Sequence, residues 1–427
     1  MSKIQTLHSD LLHETYYKIS HDSGLPIYVF PKKLTSAYAL FGVDFGSVDA
    51  FFDGEGKEKM PDGVAHFLEH KLFSNEDGSD SFEHFSAYGA DANAFTSHTR
   101  TVYLFSATDR FSKSLSELLT FVTHPYFEKN SVEREKEIIG EEIRMCRDNP
   151  YDRCYYNMLA GLYSAHPVKN DICGSLSSIA KITPELLYQT YEHFYRLSNM
   201  ALVVCGDTTP EEILKIADEN LPPKCNYPRN ISRFCPKEPP HAVKESVREA
   251  GQVAKPVFSI GFKIDRLPKD SFARSRMDAA LALLSETLFS ESGELYRRLI
   301  AKKLISPEFS SDLALTATFG FVQLAGEAED PDAVWREVFA YLEEQQKQGI
   351  DGAEFERARR VEFAEYIKGF DSTEEIANNL LAFVFDGAEI FQYGDLLRGV
   401  RKDEIEELLA EIFRKENATL SVVFPKK

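Results

Sequence analysis

The sequence lacks the features of disulfide-rich, secreted or membrane-spanning proteins. It holds six cysteines in 427 residues, none of them in C-x-x-C spacing, so neither a disulfide framework nor a cysteine-ligated metal site is expected. No run of 18 apolar residues occurs, which predicts that no segment spans a membrane. Residues 1–18 contain no apolar core of the kind that a secretory signal needs. We therefore expect a cytoplasmic protein of a reducing compartment.

Positive charge is in the minority, because 49 lysines and arginines stand against 68 aspartates and glutamates, for a formal net charge of −19. Such a surface predicts no nucleic-acid partner, whereas basic peptides suit it. An acidic balance is also common in ordinary cytosolic proteins, so charge alone does not decide the substrate. The length and the 43% hydrophobic content predict two or three globular domains with a large core.

Residues 61–73, PDGVAHFLEHKLF, contain the motif H-x-x-E-H, formed by His66, Glu69 and His70. In a helix that begins near Gly63, these three residues share one face, because positions i, i+3 and i+4 are neighbours. The other side of the helix is apolar and consists of Val64, Phe67, Leu68 and Leu72. Two imidazoles one turn apart can both bind one Zn²⁺, and Glu69 then lies where a general base for an activated water is needed.

A motif match of this kind arises by chance in roughly a few per cent of chains of this length, so the hypothesis requires a third protein ligand. The helix predicted over residues 130–148 supplies one. Its predicted apolar stripe consists of Ile138, Ile139, Met145 and Cys146. Glu142 lies in that stripe, whereas Glu141 falls on the polar face. Because a buried carboxylate needs a cation or a donor, Glu142 is the predicted third ligand.

The start of the same helix carries polar residues with two interpretations. Asn130 and Ser131 are cap candidates, and Glu133 and Glu135 fall in the predicted first turn, where negative charge suits the helix dipole. Glu135 also lies two turns before Glu142 on the same side, so it can instead orient the metal site as a carboxylate outside the ligand set. The sequence leaves both interpretations open.

The order of helical and strand patterns divides the chain into two parts. Helices are predicted over 81–88, 111–123, 184–194, 210–219, 271–289, 332–348, 352–369 and 404–413, and strands over 25–30, 38–43, 93–96, 101–107, 200–205, 257–262 and 418–424. Residues 221–240 are rich in proline and lysine and lack periodicity, which is typical of a linker. We therefore predict a catalytic, metal-binding domain over 1–222, a linker over 223–244 and a second domain over 245–427. A helix followed by an apolar strand near the end of each part indicates duplication of one unit of about two hundred residues.

The motif helix is one of four segments that match a known pattern. The segments are DGVAHFLEHKLF, GADANAFTSHTRTVYLFS, VEREKEIIGEEIRM and HFYRLSNMALVVCGD, and they span most of residues 25–215. Together they resemble the pitrilysin/insulinase family of zinc metallopeptidases, and most closely its short bacterial YmfH-like members, which work as paired subunits. The combination is far more specific than H-x-x-E-H alone.

This resemblance implies an α+β fold of two homologous domains, each a mixed β-sheet with helices packed on one face. It implies one Zn²⁺ per chain, bound by His66, His70 and Glu142. Glu69 corresponds to the catalytic base, and Glu135 matches an acidic catalytic position near the site. The second domain has no H-x-x-E-H motif, so only the first can carry the metal in this way.

The resemblance also implies a peptide-binding strand. The family has an edge strand that receives an extended peptide as an added strand, and it corresponds here to Ala92, Asn93, Ala94 and Phe95. An exposed edge offers unpaired N–H and C=O groups to a peptide of any sequence. The alternative is that Asn93 and Ala94 only pack and turn.

One segment departs from the family. Members that are active alone carry an arginine and, seven residues later, a tyrosine in the second domain, and these residues stabilise the oxyanion of the reaction. In GELYRRLIAKKLISPEFSSD the corresponding positions are Ile300 and Pro307, while Arg297, Arg298 and Phe309 lie near without fitting. The departure predicts a heterodimer with a homologous, metal-free subunit that supplies the arginine and the tyrosine. A homodimer is the alternative.

The expected function is therefore that of a zinc endopeptidase which cleaves peptides or unfolded segments in an enclosed cavity. The alternative is a non-catalytic scaffold or a peptide-binding subunit of a processing complex. The retained His66, Glu69, His70 and Glu142 favour the enzyme.

Overall fold

The computed structural model describes residues 2–223, here called the first half, and residues 231–426, the second half. The first half forms a sheet from β1 (Lys3–Ser9), β2 (Glu14–Ser20), β3 (Pro26–Pro31), β4 (Ala37–Val43), β5 (Asp91–Thr96), β6 (Thr101–Ala107) and β7 (Met200–Gly206). The second half forms a sheet from β8 (Ser246–Gly251), β9 (Val257–Lys263), β10 (Ser310–Leu315), β11 (Gly320–Glu327) and β12 (Ala418–Pro425).

Helices connect the strands in both halves. Those of the first half are α1 (Val64–Leu72), α2 (Ser81–Tyr88), α3 (Phe111–Thr123), α4 (Lys129–Asp148), α5 (Pro150–Leu162), α6 (Leu176–Ile179), α7 (Pro184–Phe194) and α8 (Pro210–Asn220). Those of the second half are α9 (Ser271–Phe289), α10 (Glu294–Ala301), α11 (Pro331–Gln348), α12 (Gly352–Lys368), α13 (Thr373–Phe385), α14 (Ile390–Gly399) and α15 (Lys402–Ile412). Within the described ranges, no helix has the length and apolar character that crossing a bilayer requires.

The two sheets repeat one topology. The first has the strand order β1-β2-β3-β7-β4-β6-β5 and the second has β10-β11-β9-β12-β8. When the order of the second sheet is reversed, its strands β8-β12-β9-β11-β10 correspond one by one to β3-β7-β4-β6-β5 of the first sheet. The first pair of each series is parallel and the remaining pairs are antiparallel. The predicted fold of two homologous α+β halves is therefore confirmed, and the hairpin β1–β2 is an addition to the first half.

Each sheet has one face covered by helices of its own half. In the first half, Phe41 and Phe105 of the sheet share a core with Leu68 and Leu118. In the second half, an equivalent core lies between the sheet and the helices α9, α11 and α15. Burial of these alternating strand residues removes apolar surface from water and stabilises each layer.

The opposite face of each sheet is covered by a helix from the other half. Helix α13 lies on β4 and β7 of the first sheet, and α5 lies on β9 and β12 of the second. Gly42 allows the close approach of α13, since a Cβ there would lie 2.8 Å from both terminal carbons of Leu381. The helices of one half therefore complete the core of the other, so we expect the halves to unfold together.

Most of the predicted elements are confirmed, and the predictions for 81–88, 111–123, 184–194 and 271–289 coincide with α2, α3, α7 and α9. The sequence analysis missed the strands β1, β2, β8, β10 and β11 and the helices α5, α6, α10, α13 and α14. Residues 224–230 of the predicted linker lie outside the described residues. The boundaries at 222 and 245 stay predictions.

We expect Leu381→Ala in α13 to lower the free energy of unfolding by about 2–5 kcal/mol, because it opens a cavity against the first sheet. The matched control is Glu375→Ala on the exposed side of the same helix, which should change stability by no more than about 0.5 kcal/mol. Urea unfolding, followed by fluorescence and by circular dichroism, measures both. Two separate transitions in the unsubstituted protein would contradict the interlocked core.

Candidate metal centre

Helix α1 is buried on almost every side, and its start depends on a glycine. Gly63 precedes the helix with φ +92°, a left-handed conformation that residues with a Cβ rarely adopt. A Cβ at this position would also lie 2.5 Å from the carbonyl oxygen of Cys173. The start near Gly63 is as predicted, and the predicted apolar residues Val64, Phe67, Leu68 and Leu72 are buried. The packing of α1 fixes His66, Glu69 and His70 at the wall of a pocket.

Helix α4 differs from its prediction in two respects. Its cap residue is Glu128 rather than Asn130 or Ser131, and no acidic residue lies in its first turn, so the predicted placement of Glu133 and Glu135 there is wrong. The reason is that the helix begins at Lys129 and its first turn ends before Glu133.

The predicted apolar stripe of α4 is wrong in part, because only Ile139 of its four residues is buried. The buried residues are Val132, Ile139, Gly140 and Ile143, whereas Ile138 is 57% and Met145 70% exposed. Two apolar series with helical spacing run along this helix, and periodicity does not show which one faces the core. Glu142 belongs to the series that faces the pocket.

Glu142 nevertheless reaches the two histidines. Its side chain is 32% exposed, against 77% for Glu141. Its Oε1 lies 3.5 Å from His66 Nε2 and its Oε2 lies 3.7 Å from His70 Nε2. One ligand atom from each of the three residues lies within 4.8 Å of the other two. Ligands of a tetrahedral Zn²⁺ at 2.0–2.1 Å are about 3.3–3.4 Å apart, so this donor set fits a zinc ion with small adjustments.

The second ring nitrogen of His70 orients that histidine. His70 Nδ1 lies 3.1 Å from Glu135 Oε1, and a carboxylate partner places the proton on Nδ1 and leaves the lone pair on Nε2. His66 Nδ1 is buried and has no hydrogen-bond partner among the described residues. Glu135 is therefore in the position that orients a ligand, and the interpretation as a charge in the first turn is ruled out by the helix start.

The electrostatics of the pocket favour a cation. Burial acts to lower the pKa of His70, but the hydrogen bond to Glu135 and the charges of Glu69, Glu135 and Glu142 outweigh it and raise that pKa. The hydrogen bond from His66 lowers the pKa of Glu142 despite its partial burial. Carboxylates that stay charged next to two imidazoles are a suitable donor set for a divalent metal.

Glu69 is buried beside the three donors and is held by a residue that the sequence analysis missed. The hydroxyl of Thr96 donates to Glu69 Oε2 at 2.6 Å. Thr96 is the last residue of β5, so this bond connects the candidate base to the candidate peptide-binding strand. The only sequence signal for Thr96 is its place in the segment GADANAFTSHTRTVYLFS, because the contact joins residues 27 positions apart.

Strand β5 is at the edge of the first sheet and pairs only with β6 among the described strands. The N–H of Ala94 donates to the side-chain oxygen of Asn93 at 2.8 Å, which shows that this N–H is turned away from the sheet. Asn93, Ala94 and Phe95 line the pocket together with the metal-site residues, whereas Ala92 does not. The edge is therefore positioned to receive a further strand beside Glu69.

The pocket has a volume of about 700 Å³ and all its described lining residues, from His66 to Cys173, belong to the first half. No arginine is among them. In the second half, Arg298 pairs with Glu294 and with Glu344, at 2.7 Å to the latter, and Phe309 is buried. A larger groove of about 1160 Å³ lies between α3 and α8 and contains none of the metal-site residues.

Comparison with known proteins assigns the chain to a family. The family model described as Insulinase (Peptidase family M16) matches residues 43–175, and the model described as Peptidase M16 inactive domain matches residues 181–362. A zinc protease of Bacillus subtilis strain 168, the uncharacterized YmfH, is 36% identical over 99% of this chain and 100% of its own length. This chain belongs to peptidase family M16. The family predicted from the sequence is thereby confirmed, and the candidate metal centre lies within the match to the first model.

Solved structures of family M16 have the same fold. An M16-like peptidase from Alicyclobacillus acidocaldarius is 30% identical, with a TM-score of 0.90 over 100% of this chain and 99% of that chain. The periplasmic protease PqqL from Escherichia coli is 18% identical, with a TM-score of 0.74 over 99% of this chain but only 48% of that chain. The fold of this chain therefore also occurs as about half of a longer protein.

We expect the purified chain to bind one Zn²⁺, and Glu142→Gln to reduce that content strongly because it removes the anionic donor. Glu141→Gln is the matched control, since it changes the neighbouring exposed carboxylate and should leave the zinc content at the unsubstituted value. Metal analysis after exhaustive dialysis measures all three proteins. Equal zinc in both variants would exclude Glu142 as a ligand.

Proposed function

We propose that this chain is the metal-bearing subunit of a zinc-dependent endopeptidase that cleaves peptides or unfolded segments. The observation that carries the proposal is the convergence of His66, His70 and Glu142 next to Glu69, at the free edge of β5. Relatives named as zinc proteases, in Bacillus subtilis and other bacteria, are consistent with it.

In the proposed reaction the substrate lies extended along β5 and its backbone pairs with the outward N–H and C=O groups of that strand. The N–H of Ala94 exchanges its hydrogen bond to the Asn93 side chain for a hydrogen bond to the substrate backbone. The strand ends at Thr96, whose hydroxyl donates to Glu69, so the substrate backbone that pairs with β5 passes next to the candidate base. Side chains of any type can be accommodated by main-chain pairing, which suits peptides and unfolded segments.

The proposed chemistry is hydrolysis of a peptide bond by water. A zinc ion held by His66, His70 and Glu142 supplies Lewis acidity and lowers the pKa of the attacking water. Glu69 accepts a proton from that water as its oxygen attacks the carbonyl carbon. The same carboxylic acid then gives the proton to the amide nitrogen as the C–N bond breaks. The products are a new carboxyl terminus and a new amino terminus, and Thr96 keeps Glu69 in place throughout.

We further propose that a homologous, metal-free subunit completes the site. The carbonyl oxygen becomes negatively charged in this reaction and needs hydrogen-bond donors, yet no arginine is among the described residues of the pocket. The second half does not supply these donors at the expected positions, because Ile300 and Pro307 stand where the family has the arginine and the tyrosine. A second copy of this chain has the same deficiency, which favours a heterodimer over a homodimer. The fold's occurrence as half of a longer chain is consistent with such pairing.

We place the proposed enzyme in the cytoplasm. Five described cysteines, at positions 146, 154, 173, 205 and 235, are free thiols, which suits a reducing compartment. A non-catalytic scaffold is the competing function. The cluster of His66, His70 and Glu142 argues against it, because a scaffold does not need a buried glutamate, Glu69, beside two imidazoles.

We expect Glu69→Gln to retain zinc and fold and to lower peptide hydrolysis by about 10²–10⁴-fold, the usual contribution of a general base. The assay uses an unstructured peptide with a fluorescence readout, in the presence of the native partner. Glu141→Gln serves again as a control with unchanged activity. Hydrolysis by Glu69→Gln at the unsubstituted rate would reject Glu69 as the base.

We expect the lone chain to hydrolyse peptides about 10²–10³-fold more slowly than the complex isolated from the native cell, because the oxyanion lacks its donors. Co-purification of the tagged full-length chain, followed by size-exclusion chromatography and metal analysis of each subunit, identifies the partner. Full activity of the lone chain, as a monomer or as a homodimer, would show that no second subunit is needed.

A further inference from the structure

A buried lysine lies directly after the last histidine of the motif. The side chain of Lys71 is 2% exposed, although a lysine is almost never fully buried unless it is paired. Helix α1 is buried on both sides at this point, so the ammonium group cannot reach water. Burying a charge costs free energy unless hydrogen-bonding or charged partners compensate for it. The partners of this ammonium group therefore indicate its role.

Lys71 uses each of its three N–H donors. Its Nζ lies 2.9 Å from Ser74 Oγ, 2.5 Å from Ser131 Oγ and 3.4 Å from Glu135 Oε2. Ser131 and Glu135 are both on α4, one turn apart. The ammonium group therefore joins the motif helix to the helix that carries the third candidate ligand.

Glu135 is held at both oxygens by consecutive residues of α1. Its Oε2 accepts from Lys71, and its Oε1 accepts from His70 Nδ1 at 3.1 Å. A carboxylate with one partner is free to rotate about its last bond, whereas two partners on opposite oxygens fix that rotation. The rotation of Glu135 in turn fixes the ring plane and tautomer of His70, whose Nε2 faces Glu142 at 3.7 Å.

We propose that Lys71 is a positioning residue of the metal centre, whose ammonium group holds the Glu135 carboxylate in the rotation that keeps His70 Nε2 aimed at the metal. The proposal rests on the proposed function to the extent that it takes His66, His70 and Glu142 as zinc ligands. Lys71 contacts neither zinc nor substrate, and its effect is transmitted by Glu135 alone.

A purely structural role is the competing explanation, because the same contacts join α1 to α4. The chain offers a matched control for it. Lys263 is also buried, and its Nζ likewise meets three acceptors, Leu162 O at 3.0 Å, Pro239 O at 2.8 Å and Glu238 Oε2 at 3.3 Å. It lies on β9 of the second sheet and does not line the pocket, so Lys263→Met removes a comparable set of contacts without removing one from Glu135.

The test compares zinc dissociation constants, measured by chelator competition, for the full chain and its variants. Lys71→Met should bind zinc about 10–100-fold more weakly, the usual loss when a partner of a ligand is removed, while Lys263→Met should bind it like the unsubstituted chain. The visible absorption bands of the Co²⁺-loaded protein should change in Lys71→Met and Glu135→Gln, since both alter the geometry at His70, and should stay the same in Lys263→Met.

The double variant Lys71→Met with Glu135→Gln leaves neither charge buried alone, so its own zinc affinity carries no contribution from an unpaired buried charge. If Lys71 acts through Glu135, the double variant binds zinc within about twofold of Glu135→Gln alone. Three results would each overturn the proposal. The double variant could bind zinc a further tenfold more weakly than Glu135→Gln, Lys71→Met could keep its zinc affinity and Co²⁺ bands, or Lys263→Met could lose as much zinc affinity as Lys71→Met.

These outcomes are separable from failure of the proposed function. If the unsubstituted chain binds zinc but does not hydrolyse peptides in its native complex, the proposed endopeptidase function is wrong. The zinc dissociation constants of the Lys71 variants then still decide whether Lys71 is a positioning residue. An unsubstituted chain that binds no zinc overturns both.

Discussion

The site depends on the contact between α1 and α4, where charged and polar side chains pair away from water. Lys71, Glu135 and His70 form a continuous series of hydrogen bonds across this contact, and His70 Nε2 lies 3.7 Å from Glu142 Oε2. Each member compensates for the burial of the next, so removing one leaves another unsatisfied. The geometry of the candidate ligands is therefore a property of helix packing and not of the motif alone.

The fold keeps that contact rigid by covering both faces of each sheet. Helix α13 of the second half closes the face of the first sheet that lies opposite α1 and α4, and α5 of the first half does the same for the second sheet. The central strands β4 and β7 consequently have no solvated face. Strands β1 and β5 are the two edges of this sheet and each has one free side among the described strands. The proposed substrate pairs with β5.

The sequence predicted the buried elements better than the peripheral ones. Strands β4, β7, β9 and β12 are rich in apolar residues, and helices such as α3 and α9 have clear limits, so local pattern was sufficient for them. The missed edge strands β1, β8 and β10 carry exposed polar residues and give a weak signal, whereas β11 was missed although it is buried inside the second sheet. On α4 the apolar spacing was ambiguous, and the predicted stripe combined the buried Ile139 with Ile138 and Met145, which are exposed, while it left out the buried Ile143.

The sequence by itself determined the family, the repeated α+β halves and the identity of the candidate donors, because these follow from residue type and spacing along single helices and strands. Only the tertiary structure decided how the donors are held. The contacts of Lys71 and His70 with Glu135 and of Thr96 with Glu69, together with the exchange of α5 and α13 between the halves, join residues far apart in the chain. Such contacts depend on the packing of whole elements, which local periodicity does not specify.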